Sequence, residues 1–258
     1  MGTVLGQPMK KPSNGKGRLP GALISSVSQY LEYIQDACSD FTNPLFRGHT
    51  QEDWTLVPKV ARLELRNGAE VLEAEREMLD DFRRRALPHL EFQPRTEWEW
   101  LAVAQHFGMA TRLLDWTTNP LAALWFAIDG PAVSGARAVV WIFHAFTSDY
   151  VADPAAESPF ATDITRVFRP NHLLRRIVVQ DGWFTVHKYV KKSGRFIPLE
   201  NNARYRNRLS YVAVRPEDFA HLRIELDRCG VNPASLFADL TGLSRHILWR
   251  FSPLVDEK

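Results

Sequence analysis

Apolar positions recur at helical spacing in several windows of the chain, and most of those windows open on a recognisable cap. Behind Ser26, with Gln29 three positions on, Val27, Tyr30, Leu31, Ile34 and Cys38 form one stripe. From about Glu70 to Leu87 a long charged helix is expected, with Val71, Leu72, Met78, Leu79 and Phe82 on one side and a solvated Arg83, Arg84, Arg85 run on the other. Thr96 and Glu99 make a second capping box, ahead of a helix with Trp98, Leu101 and Ala102 on one face that Gly108 ends. Asn119 as N-cap and Pro120 at the first helical position start another, whose inward face is Leu121, Leu124, Trp125 and Ile128.

Extended segments show a different pattern. Leu45 to Arg47 reads as a short strand ending at Gly48, Trp54 to Val60 as an extended piece broken at Pro58, and Arg137 to Phe143 as a buried strand. Further strands are expected at 176–180, 183–190, 195–199 and 208–214, after a long loop over 147–172. Three helices close the chain: Pro216 to Arg228 stopped by Gly230, one begun by Asn232 and Pro233, and Leu243 to Arg250. Helices before and after a cluster of mostly hairpin-connected strands predict an α+β fold, with a mixed, mainly antiparallel sheet flanked by helices.

Composition changes this picture only at its margins. Residues 1–25 are rich in Lys, Gly, Pro and Ser and are expected to form a disordered leader, with a single domain over 26–258. The 258 residues are 45% hydrophobic, with eight Trp and fifteen Phe, enough to fill a sizeable core. A net charge of +2, from 32 basic and 30 acidic residues, is too balanced for a nucleic-acid coat. A local basic cluster from Lys188 to Arg195, with Arg204, Arg206 and Arg208, has Phe184, Tyr189 and Tyr205 beside it for base stacking; a solvated loop is the alternative. No apolar run approaches the length of a membrane span. Cys38 and Cys229 are too few for a disulfide framework or a metal site, so a cytoplasmic protein without a metal is expected. Nucleotide-binding glycine motifs, zinc-protease motifs and a nucleophile elbow are all missing.

The densest run of chemistry is QHFGMATRLLDWTTNPLAALWFA, Gln105 to Ala127. It crowds Gln105, His106, Thr111, Arg112, Asp115, Thr117 and Thr118 into a short connection between two core-forming helices, where a rigid scaffold commonly presents a site. With the Phe46, Arg47, Gly48 triplet, and with WTLVPKVAR at 54–62, RIVVQDGWFTVH at 176–187 and GVNPASLFADLTGL at 230–243, this run resembles the FRG-domain family over roughly 26–250.

Three short motifs also follow an order similar to that of ADP-ribosyltransferases: Phe46–Arg47–Gly48, Asp115–Trp116–Thr117 ahead of a helix reading LAALWFA, and Gln180–Asp181–Gly182 ahead of a strand. That resemblance implies an ADP-ribosyltransferase-like split sheet, NAD as substrate, and a nucleic-acid or protein acceptor, as in a toxin or phage-defence effector. It places Asp115, His106 and Gln180 in catalytic roles, and Arg47, Gly48, Thr111, Arg112, Trp116 and Thr117 around the dinucleotide. A bidentate guanidinium grips phosphate or ribose, short hydroxyls approach the ribose without bulk, and an aromatic surface stacks the nicotinamide. The chain departs from the pattern at Gly182, where a Glu is usual, and at Asp115, where Ser or Thr is usual. Either Asp115 or His106 takes the electrostatic role, or the fold is a non-catalytic nucleotide- or nucleic-acid-binding module.

Overall fold

The computed structural model describes residues 21–39, 43–171 and 178–257. Most of the expected leader and part of the expected 176–180 strand lie outside those residues. The described chain is α+β. Its strands are β1 (Ala22–Ile24), β2 (Pro44–His49), β3 (Leu113–Thr117), β4 (Ala138–His144), β5 (Arg166–Phe168), β6 (Gly182–Val186), β7 (Tyr189–Val190), β8 (Arg195–Phe196) and β9 (Leu209–Val214). Its helices are α1 (Val27–Ala37), α2 (Val71–Ala86), α3 (Glu97–His106), α4 (Pro120–Ala127), α5 (Phe219–Arg228), α6 (Pro233–Phe237) and α7 (Leu240–Phe251).

The caps sit where the sequence puts them. Ser26 Oγ accepts from the Gln29 amide, Thr96 Oγ1 from the Glu99 amide, and Asn119 Oδ1 from the amides of Leu121 and Ala122. The reciprocal arm of the two boxes reaches one residue further back than a capping box requires: Gln29 accepts from the Ser25 amide and Glu99 from the Arg95 amide.

Seven strands form one sheet in the order β1-β9-β4-β2-β3-β6-β5, in which only β1 and β9 run parallel. One seam in it is weak. β2 keeps register with β4 over six pairs and β3 with β6 over five, but β2 meets β3 at the single pair Phe46–Thr117. Each side of the seam carries its own helices on the same face. Phe46, Val140, Ile142 and Val212 pack with Tyr30, Leu124 and Leu222 of α1, α4 and α5, while Leu113, Phe184 and Val186 pack with Leu79, Trp98 and Leu101 of α2 and α3. The opposite face, with Leu45, Trp116, Trp141 and Tyr211, is covered by Leu56, Leu199 and Tyr205 from the connections.

Several expectations are corrected here. The connection around Asp115 is a central strand, β3, because Leu113, Leu114 and Trp116 are buried on its two faces. Residues 54–58 are irregular and lead into the 3-10 turn Lys59–Arg62. The expected loop over 147–172 contains β5, and β1 lies inside the expected leader. Val178 and Val179 are helical and Gln180 is in a turn, so the strand begins only at Gly182. The segment 183–190 is broken between Val186 and Tyr189.

Gly48 shows why the FRG triplet ends in glycine. A Cβ there would lie 2.2 Å from the Ala123 carbonyl oxygen and 2.5 Å from the Ala127 amide nitrogen, both backbone atoms of α4. Gly48→Ala is therefore expected to force α4 off the sheet and to cost about 1–3 kcal/mol of stability, read as a lowered midpoint in urea unfolding. An unchanged midpoint would show that α4 has room to retreat.

Candidate active site

The seam opens into a solvent-facing cleft of about 370 Å³, floored by β2, β3 and β6 and walled by α3 and α4. That volume lies at the lower end of the range of small-molecule pockets. Arg47, Asp115 and Gln180, from three separate stretches of sequence, all line it.

Arg47 bridges the two half-sheets. Its Nη1 donates to the Asp115 carbonyl at 2.7 Å, where a regular ladder would have put an amide, and its Nε donates to His49 Nε2 at 3.0 Å. Nη1 lies 3.6 Å from the Asp115 carboxylate. Nη2 makes no hydrogen bond among the described residues. Burial lowers the pKa of the guanidinium, Asp115 opposes that shift and Arg62 adds to it; the group remains a cation at any physiological pH. The Asp115 side chain is 63% exposed against 20% for Arg47, so their attraction is screened and the carboxylate faces the cleft.

A short relay aims that carboxylate. Thr111 Oγ1 donates to Gln105 Oε1, and Gln105 Nε2 donates to Asp115 Oδ1 at 2.9 Å. Thr111 itself is buried, so it acts on Asp115 through Gln105 and does not touch a ligand. His106 lines the cleft one residue beyond Gln105, with its ring edge-on to Phe107.

Other sequence candidates have different places. Arg112 is fully buried and does not reach the cleft, because its guanidinium and backbone amide are both taken by Glu75, with Pro159 O accepting from Nη1 at 3.0 Å. Gly48 lines the cleft, but its side-chain position is filled by α4. Trp116 lines the cleft while nearly buried, and its Nε1 donates to Thr185 Oγ1 at 3.0 Å. The Thr117 hydroxyl donates to Gln180 O and accepts from the Asn119 amide, which commits it to the backbone and not to a ribose. Gln180 Nε2 donates to Leu236 O at 3.0 Å. Asp181, with φ of 42°, is in the left-handed region of a turn, and its carboxylate accepts from Thr118 Oγ1, away from the cleft.

Sequence reasoning missed His49 and Trp54. His49 stands two residues from Arg47 on the same strand, so the two share a face, and that spacing was the available signal. Trp54 packs edge-on against the His49 ring from an irregular segment that carries no periodic pattern. Part of the basic cluster around Lys188 to Arg208 is taken up within the fold. Arg204 and Arg208 are both bonded to the buried Asp149, and Phe184 and Tyr205 are buried, so neither ring can stack a base.

His187 lies just behind the cleft, fully buried, with Nε2 3.1 Å from Thr185 Oγ1. Burial lowers its pKa to about 4, against a pull from the Ile197 backbone and with help from the Arg47 cation. The ring is therefore neutral when folded, and the unfolded chain takes up its proton first as pH falls. Stability is fully present above the unfolded pKa and is lost as pH drops from about 6.5 toward about 4, by about 3 kcal/mol for this group. Urea unfolding across that window should show a shallower loss in His187→Gln than in the native chain. Parallel slopes would refute the assignment.

Among the described residues no group of three or more His, Cys, Asp or Glu side chains is placed to hold a metal, and no helix is long and apolar enough to cross a membrane. No curated protein and no solved structure matches the chain, so the likeness to ADP-ribosyltransferases rests on motif order. A family model does match, over a span narrower than the resemblance suggested but one that contains Arg47, the Thr111–Gln105–Asp115 relay and the α4 wall: residues 42–135 match the FRG domain.

Proposed function

We propose that the cleft binds a nucleotide by its phosphate and ribose, and that its reaction is cleavage of the nicotinamide–ribose bond of NAD, with transfer of ADP-ribose to an acceptor or to water. The observation that carries this reading is the meeting of Arg47, Asp115 and Gln180 in one open cleft. Arg47 is a fixed cation with Nη2 available to a phosphate oxygen. Asp115 is a carboxylate aimed by Gln105 at the space where the ribose would sit. As the bond from C1′ to the pyridinium nitrogen breaks, nicotinamide leaves neutral with the bonding pair. The positive charge developing on the ribose is then stabilised by the Asp115 carboxylate. A lone pair of the acceptor or of water forms the new bond to C1′, and the proton it loses passes to Asp115 or His106 and on to solvent. A nucleic-acid or protein acceptor, and a role as toxin or phage-defence effector, extend the same proposal.

Incubation with NAD, with free nicotinamide followed by chromatography, tests it: release above the buffer control is expected, and its absence with water, RNA and protein acceptors would overturn the enzymatic reading. A non-catalytic nucleotide-binding module is the second reading. It is favoured by Gly182 at the third motif and by the tethering of Gln180 and Thr117 to backbone atoms. A thermal shift on adding NAD without nicotinamide release would support it.

A further inference from the structure

The C-terminal helix α7 is built inside out. Four of its residues are engaged by the protein, none of them aliphatic beyond a glycine: Arg245 bonds Asp129 at 2.7 Å, His246 lies 3.7 Å from Asp227, Trp249 Nε1 donates to Glu257, and Gly242 is buried. Gly242 is pressed against α6, where a Cβ would meet Pro233 O at 2.4 Å. On the opposite side of the helical wheel, Leu240, Leu243, Ile247, Leu248 and Phe251 face outward, with Val255 beyond the helix end. Leu240 is 79% exposed, Leu248 66% and Phe251 84%. These six side chains leave on the order of 700 Å² of apolar surface open, more than monomers commonly show and close to one partner's share of a stable interface.

We propose that this face pairs with the same face of a second copy, antiparallel and about a twofold axis. Three observations select that occupant. The area matches what a dimer needs. The stripe is self-complementary: an antiparallel register sets Leu240 level with the partner's Phe251 and Leu243 level with the partner's Leu248, with the small Ser244 level with the partner's Ile247. The charges fit as well. Between Leu240 and Phe251 there is no acidic residue or lysine; Arg245 is engaged by Asp129, and the exposed Arg250 at one end comes beside the N-cap Asp239 of the partner subunit at the other. Opposed helix dipoles add to the pairing.

This inference stands on α7 and is independent of the NAD reading. Sedimentation equilibrium of the full chain over a concentration series should give twice the monomer mass. Ile247→Glu combined with Phe251→Glu should halve that mass while leaving the circular dichroism and the unfolding midpoint of the monomer in place, since neither side chain is buried. Because a charged variant can change solubility, Ile247→Ala with Phe251→Ala gives a second reading: a dimer dissociation constant raised tenfold or more. A native chain that stays monomeric throughout, or a dimer that survives both variants unchanged, would overturn the proposal.

Discussion

Glu75→Ala is expected to destabilise the protein by about 3–5 kcal/mol, the cost of leaving a buried cation without its counter-ion. Both residues of the Arg112–Glu75 pair are essentially inaccessible to water, and Nη2 lies 2.6 Å from the carboxylate. Glu75 also accepts from the Arg112 backbone amide at 2.8 Å, so one carboxylate anchors both the side chain and the start of β3 to α2. The rest of the guanidinium rests on the Phe160 ring, 4.4 Å from its centroid, which gives it no second anion. Replacing both members by apolar residues, Glu75→Leu with Arg112→Met, should recover much of the loss, because no charge then remains to be desolvated. Urea unfolding of the single and double variants checks both statements. A single variant within about 0.5 kcal/mol of the native chain would mean that water reaches Arg112 after all.

Asp115→Asn is expected to lower nicotinamide release on the order of 10²-fold, mainly through kcat. The amide keeps the size of the side chain and an acceptor for Gln105, so the cleft is preserved and only the charge facing it is lost. Arg47→Lys should act differently. A lysine ammonium cannot span both the Asp115 carbonyl and His49 as the guanidinium does, so the loss falls mainly on KM. Turnover unchanged in both variants would remove these residues from the proposed mechanism, whatever the native chain does with NAD.

Elements that announce themselves by caps and period were legible in the chain. Ser26, Thr96 and Asn119 each cap the helix expected of them, and the β-branched and aromatic run before His144 is a buried strand. Strand β3 was obscured because its five residues mix Leu, Asp, Trp and Thr, so a central strand with one face lining a cleft looks like a polar loop. β5, three residues inside a proline-containing stretch, has too little length to show a period. The site divided along the same line. Asp115 and His106 in the dense central motif, and Arg47 in the triplet upstream, stood out as candidates, and all three line the cleft. Whether an arginine faces a cleft or a buried glutamate depends on a partner 37 positions away, and so Arg112 could not be sorted from Arg47 by sequence. Gly48 was placed around the dinucleotide, but the backbone that comes up against it is that of α4.

Among the described residues, the backbones of β2 and β3 are joined by one rung and by the Arg47 guanidinium. Any anion that draws Arg47 toward itself therefore competes with the mechanical junction of the domain. Occupancy of the cleft and rigidity of the fold draw on the same side chain, so a ligand's measured affinity is what remains after that tie has been loosened. Amides flanking the junction, around Gly48 and Asp115, should consequently report ligand arrival by a change in exchange rate even where no atom of the ligand touches them.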